Sequence, residues 1–236
     1  MSASPNRVLV LGGTGPLGIC LLRELVFRGH PTVAYCRNPS KVPEDLASNS
    51  LLEVVEGNME DTEKLSQLVS RIDVVATLLG PQLGNAPDPS PIPGYYDALF
   101  NLMRQHSVKR IFALTTASLA NVEGDGSSLT RLFLAGAIRV IVPAAYRTVQ
   151  AVGATFRSDK PHDLDWTLFR IAHIPGGDDE ASWKTDREVG GVYVGPIGPQ
   201  WSVTIRRGRL ARWLVDSVES GAPELIGKVP AVSGTK

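Results

Sequence analysis

The feature that most constrains this chain is a glycine-rich turn set between two apolar stretches. Val8-Leu9-Val10-Leu11 runs straight into Gly12-Gly13-Thr14-Gly15-Pro16-Leu17-Gly18, and apolar residues at helical spacing continue from Leu17 to Phe27. Aliphatic residues before the glycines suit a buried strand and the pattern after them suits a helix, so the segment reads as strand, tight turn, helix. Pro16 fits the first helical turn, where its missing N–H is no loss; Arg28, Gly29 and Pro31 supply a cationic end, a C′ glycine and a stop. The glycines read as Gly13-x-Gly15-x-x-Gly18 or as Gly12-x-x-Gly15-x-x-Gly18, and both spacings predict one thing. Backbone without Cβ turns tightly and comes close to a ligand, while the unpaired N–H groups and the dipole at the helix start attract an anion. Gly12, Gly13, Thr14, Gly15, Pro16 and Leu17 are thereby expected to cradle the pyrophosphate of a dinucleotide, with Gly18 letting the helix pack closely on the sheet. Glycines are common in ordinary turns; the strand before and the helix after give these their specific reading.

The same alternation recurs along the chain. Strands are expected at Thr32 to Cys36, Leu51 to Glu56, Ile72 to Leu79, Arg110 to Thr115 and Trp166 to Ile171, with a short seventh at Val203 to Ile205. Helices are expected at Lys64 to Ser70, at Tyr95 to His106 with Tyr96, Leu99, Met103 and His106 on one face, and at Leu210 to Val218. Strands two to six are continuous apolar runs, as a parallel sheet covered on both faces requires, so the expected fold class is α/β with a doubly wound parallel sheet. No repeat or linker divides the 236 residues, so one domain over 1–236 is expected, with residues 173–236 supplying substrate-pocket segments. Three longer connections, Pro81 to Pro93, Ser118 to Ser128 and His173 to Gln200, follow strands four, five and six and so emerge at the carboxyl edge with the glycine turn. Ligands of open α/β sheets bind at that edge, although any one loop is equally read as a surface excursion.

The end of strand two speaks to the choice of dinucleotide. An acidic residue there binds the ribose 2′-hydroxyl of NAD, and Cys36 stands in its place. Arg37 and Lys41 follow, placed to meet a 2′-phosphate, which favours NADP(H); otherwise the two simply solvate a loop. Asn58, with Met59 beside it, is placed to reach the adenine, or serves as a turn residue. Leu79 and Gly80 are expected along the cofactor ribose. Tyr95 and Tyr96 line the pocket or belong to the core.

The segments Arg37-Asn38-Pro39, Gly57-Asn58-Met59-Glu60-Asp61, Leu114 to Ser118, Asp165-Trp166-Thr167-Leu168-Phe169-Arg170 and Ile205-Arg206-Arg207-Gly208-Arg209-Leu210-Ala211 extend the glycine turn into a longer resemblance. Over most of its length the chain resembles the NmrA-like, or atypical, branch of the short-chain dehydrogenase/reductase superfamily. The resemblance implies a Rossmann fold that binds NAD(P), and a function among reductases, isomerases or lyases, and cofactor-sensing regulators. Many relatives carry a Tyr-x-x-x-Lys pair on the helix after strand five. The closest match here is Tyr146-Arg147-Thr148-Val149-Gln150, which puts a neutral amide where the lysine belongs. Gln150 can hold a ribose hydroxyl but gives Tyr146 no cationic neighbour at that spacing. Pro143 interrupts the helix that often builds dimers in those relatives, so a monomer or weak homodimer is expected.

Three side chains are candidate proton donors. Tyr146 is one. Ser118 closes strand five beside Thr115 and Thr116, where a hydroxyl can meet a substrate carbonyl or cap the strand; Thr115 is expected beside the nicotinamide. His173 follows strand six and can donate near neutral pH, or is structural. The histidines show no pairing at metal-ligand spacing, so no metal site is expected. Lys plus Arg balances Asp plus Glu at 24 each, which disfavours nucleic acid as a partner, and the Arg206, Arg207, Arg209 and Arg212 group reads as a helix start or internal ion pairs. No apolar run nears the roughly 20 residues of a membrane span, the start has no apolar signal core, and two cysteines make no disulfide framework. A cytoplasmic protein with a small-molecule substrate is expected: an NADPH-dependent reductase of a conjugated or aromatic carbonyl compound, of the kind used in secondary-metabolite biosynthesis, with a non-redox isomerase, cyclase or dehydratase, or an NADP-sensing regulator, as the alternatives.

Overall fold

The computed structural model describes residues 5–81, 88–126 and 129–236. Residues 82–87 and 127–128, parts of two of the expected carboxyl-edge loops, lie outside it. The chain forms β1 (Val8–Leu11), α1 (Pro16–Phe27), β2 (Thr32–Cys36), α2 (Glu44–Ala47), β3 (Leu52–Glu56), α3 (Thr62–Val69), β4 (Val74–Thr77), α4 (Ile92–Gln105), β5 (Arg110–Thr116), α5 (Leu129–Ile141), α6 (Pro143–Phe156), β6 (Asp165–Ile171), α7 (Glu180–Asp186), β7 (Val192–Gly195), α8 (Arg207–Ser220) and β8 (Ala231–Gly234).

These strands make one sheet in the order β3-β2-β1-β4-β5-β6-β8-β7, parallel throughout except where β7 runs antiparallel to β8 at the edge. The strand order reverses between β1 and β4, the switch point at which doubly wound sheets open a crevice. Successive side chains alternate between two cores. Val8 and Val10 pack with Leu21, Leu25, Leu210 and Leu214 under α1 and α8, whereas Leu9 and Leu11 pack with Leu65, Leu99, Phe100, Val152 and Phe156 under α3, α4 and α6. Both faces being covered explains why β1, β2 and β4 are buried at every position. Edge strand β3 exposes Glu53 and Glu56.

The predicted doubly wound fold is therefore the observed one, and it departs from the sequence reading chiefly beyond β6. Val203 to Ile205 is not a strand: Thr204 makes only an isolated parallel bridge with His173. The last two strands are β7 and β8, each four residues long, and their pairing depends on register with distant partners rather than on a local apolar run. The expected loop from His173 to Gln200 contains α7 and β7, the helix being capped by the Asp179 side chain, which accepts from Ser182 N at 2.9 Å. The helical run is interrupted at Pro143 as expected: α5 ends at Ile141, and Pro143 opens the first turn of α6.

Candidate functional site

The turn after β1 has the geometry its glycines predict. Gly12 sits at φ +80°, and a Cβ there would come within 3.0 Å of the Leu78 carbonyl carbon. A Cβ on Gly18 would lie 2.4 Å from Gly12 O and 2.5 Å from Gly13 C, so any side chain there would push α1 off the turn. Gly15 caps α1 with no side-chain hydrogen bond, and no acidic residue stands in the first helical turn. The helix start therefore keeps unpaired N–H groups and an uncompensated positive dipole, the arrangement that holds a diphosphate.

A cleft of about 440 Å³ opens beside this turn. It brings together Gly12, Thr14, Arg37, Lys41, Asn58, Met59, Leu79 and Gly80 of the expected cofactor residues. Its sides are the loops after β2 and β3, the chain beyond β4 and the first turn of α4. Tyr35 fixes the loop after β3 by donating from Oη to Asn58 O at 2.7 Å, and Gly57 is required there because a Cβ would fall 2.2 Å from that phenol oxygen. Arg37 and Lys41 are exposed on the lip of the cleft, and their side chains make no hydrogen bond or ion pair with another described residue. Cys36 lines the cleft where a ribose-binding carboxylate would stand, and burial pushes its thiol pKa up, so it carries no charge at neutral pH. Of the two adjacent tyrosines, Tyr96 is wholly buried, while Tyr95 lines the cleft and donates to Glu60. Position on the helix decides between them: consecutive residues point about 100° apart.

The remaining expected residues are placed otherwise. Gly13, Leu17 and Gly18 are buried behind the turn, and Gly15 and Pro16 stand at the start of α1. Thr115 is buried on β5. Ser118 is buried too, its hydroxyl 2.6 Å from that of Thr116. Gln150 uses both ends of its amide on the loop after β5: Oε1 accepts from Ala120 N at 3.0 Å and Nε2 donates to Ser118 O at 2.9 Å. Tyr146 is half-buried on α6, and His173 is exposed just past β6, its backbone paired with Val203 and Ile205. None of these five lines the cleft, although β5 and β6 end on the same edge of the sheet. Sequence reasoning left out Gly57 and Glu60 as parts of the site; a glycine directly after a strand was the available signal for the first.

The arginines of α8 are engaged within the protein. Arg207 donates to Gly176 O and, at 3.1 Å, to Ile174 O; Arg206 pairs with Asp186 at 3.2 Å and Arg212 with Glu188 at 2.6 Å. Cys20 Sγ donates to Gly177 O at 3.5 Å and Arg23 Nε to Asp178 O at 3.1 Å, so the segment after β6 is fastened to α1 as well. Among the described residues no group of His, Cys, Asp and Glu has the arrangement of a metal site, and no helix is long and apolar enough to cross a membrane.

Comparison with known proteins agrees with this geometry. A family model described as NAD(P)H-binding matches residues 12–220. A probable pinoresinol-lariciresinol reductase of Arabidopsis thaliana is 36% identical over 75 residues, 31% of this chain and 24% of that protein. A phenylcoumaran benzylic ether reductase of Nicotiana tabacum is 32% identical over 91 residues, 35% of this chain and 29% of that protein. The matched stretches thus span under a third of the length of these relatives. Among solved structures, a wide-type short-chain dehydrogenase/reductase from Veillonella parvula in complex with NADP superposes with a TM-score of 0.73 at 14% identity, covering 98% of this chain and 95% of that one. An anaerobilin reductase from Escherichia coli O157:H7 gives a TM-score of 0.69 at 14% identity, covering 97% of each chain. With a diphosphate-ready turn at the switch point of a doubly wound sheet and a family match over most of its residues, the chain belongs to the NAD(P)H-binding family, on a Rossmann-like fold.

Proposed function

We propose that this chain is an NADPH-dependent reductase of small conjugated or aromatic carbonyl compounds such as quinones and enones. The observation that carries the reading is the pair of exposed cations, Arg37 and Lys41, on the lip of the cleft, without a partner among the described residues and next to a cysteine where a carboxylate would select NADH. A guanidinium meets a 2′-phosphate through a planar fork and gains nothing comparable from a hydroxyl. Relatives named as reductases, and a fold neighbour bound to NADP, support the same choice.

When bound, the reduced cofactor supplies a hydride. The chain's own part is to hold the reactants. The amides at the start of α1 would take the diphosphate, Arg37 and Lys41 the 2′-phosphate, Asn58 and Met59 the adenine end, and Leu79 and Gly80 the ribose. Thr115 would stand on the nicotinamide side. Holding two reactants in contact lowers the barrier by removing translational and rotational freedom in advance. Ser118, Tyr146 and His173 are the groups able to return a proton to substrate oxygen. Gln150 acts here as a positioning residue, because its amide fixes the backbone of the loop that carries Ser118. A site without the tyrosine–lysine pair suits substrates that are already electrophilic.

The test is stopped-flow oxidation of NADPH, with NADH as control, against a panel of quinones and enones. Turnover with NADPH supports the reading; tight cofactor binding with no turnover on any member of the panel overturns it.

A further inference from the structure

Three residues from three different elements meet at the adenosine end of the cleft: Arg37 after β2, Glu60 after β3 and Tyr95 in the first turn of α4. Tyr95 Oη donates to Glu60 Oε1, a contact between residues 35 apart in sequence that ties the loop after β3 to α4 across the cleft. Asp61, next in the chain, is answered by Lys64, whose ammonium lies at 3.5 Å and whose N–H it caps at 3.1 Å. Glu60 has a neutral phenol as its hydrogen-bond partner, so its charge stays in the cleft. The Tyr95 hydrogen bond and, to a lesser extent, the Arg37 field hold its carboxyl below the usual carboxylate range. Glu60 and Arg37 nevertheless form no ion pair. An exposed glutamate with free rotamers ordinarily swings toward such a guanidinium; this one is fastened to α4.

We infer that Glu60, held by Tyr95, sets how strongly the cleft prefers a 2′-phosphorylated dinucleotide: the carboxylate opposes the incoming phosphate, and the tyrosine keeps that carboxylate from closing on Arg37 and neutralising it. The inference rests on the NADP(H) reading above. It assigns the two residues opposite effects on one affinity, which an ordinary wall contact does not produce. The interaction is between solvent-facing charges, so it is modest and screened by salt.

The experiment is calorimetric titration of the whole chain with NADPH and with NADH at low and high salt. Glu60→Gln keeps an acceptor for Tyr95 and removes the charge; the NADPH Kd is expected to fall about two- to fivefold at low salt, with NADH unchanged. Tyr95→Phe keeps the ring and frees the carboxylate; the NADPH Kd is expected to rise by a similar factor, again with NADH unchanged. The double variant is expected to match Glu60→Gln, since without the charge the tether has nothing to restrain. Shifts of the two single variants in the same direction, or equal shifts for NADPH and NADH, overturn the inference. If wild type prefers NADPH and Arg37→Ala removes that preference while Glu60→Gln and Tyr95→Phe leave it unmoved, this inference fails and the cofactor reading stands. If wild type binds neither dinucleotide, both fail together.

Discussion

The loops after β2 and β3 and those after β5 and β6 end on the same edge of one sheet, yet they treat charge in opposite ways. Beyond β5 and β6 the buried charged side chains are engaged internally. Arg170, fully buried, makes a bidentate pair with Asp125 at 2.6 and 2.8 Å, and Asp125 also accepts from Ile197 N at 2.8 Å, locking the loop after β5 to β6 and to the chain beyond β7. Buried Glu24 takes two hydrogen bonds from Arg187 at 2.8 Å each and one from Trp183 Nε1 at 3.1 Å, riveting α7 to α1. Beside β2, Arg37 and Lys41 have no such partners among the described residues. A cation satisfied by its own chain is architecture; a cation held out at the lip of a cleft is available to a ligand. The difference separates scaffold from site where residue type alone does not.

The comparison can be broken most easily on its architectural side. Asp125→Asn leaves the Arg170 guanidinium buried against a neutral partner and is expected to destabilise the fold by about 3–5 kcal/mol in denaturant unfolding. A loss below 1 kcal/mol would mean that the pair is not engaged as described. Gly18→Ala comes next, because its methyl meets backbone rather than a yielding side chain: about 1–3 kcal/mol of stability and most of the dinucleotide affinity are expected to go. On the site side, Arg37→Ala is expected to weaken NADPH roughly 10- to 100-fold in a fluorescence titration, leaving NADH affinity in place and stability within about 0.5 kcal/mol of wild type. A large loss of stability there would move Arg37 into the architectural class.

The smallest effect is one of pH, at a pair far from the cleft. The Arg104 guanidinium, hydrogen-bonded to Asp163, holds that carboxyl down from the ordinary 3.8 to about 2. A lowered folded-state pKa means that the pair's contribution is complete above the unfolded value and is lost as pH falls from there toward 2. Asp163→Asn is therefore expected to flatten part of the acid limb in that window and to leave the curve near pH 7 parallel to wild type. Persistence of the full acid slope in the variant would assign the limb to other carboxylates.

How much of this was legible in the sequence depends on how local the cause is. Val8 to Gly18 was readable because strand, turn and helix signals lie within one short segment, and the bounds of β2 were readable from five apolar or β-branched residues. Gly29, at φ +81° just past α1, did what a C′ glycine does. The last two strands, β7 and β8, were not readable, since each is short and is fixed by its partner's register. Within the site, Arg37 and Asn58 stand at strand ends and announce themselves. Glu60 needs Tyr95, which lies on a separate helix, so nothing in either segment alone signals their contact. Ser118 and Gln150 show the same limit: the spacing from Tyr146 suggested a ribose contact for Gln150, whereas its amide is bonded to a backbone loop that no spacing rule describes.

That amide has a consequence for anyone wishing to graft the tyrosine–lysine chemistry onto this scaffold. Gln150→Lys would restore the motif on paper, but an ammonium can only donate. It could keep the bond to Ser118 O while orphaning Ala120 N–H, slackening the very strand exit against which a carbonyl substrate would have to rest. A successful conversion must first rebuild the backbone after β5, so that the ammonium is free to turn elsewhere.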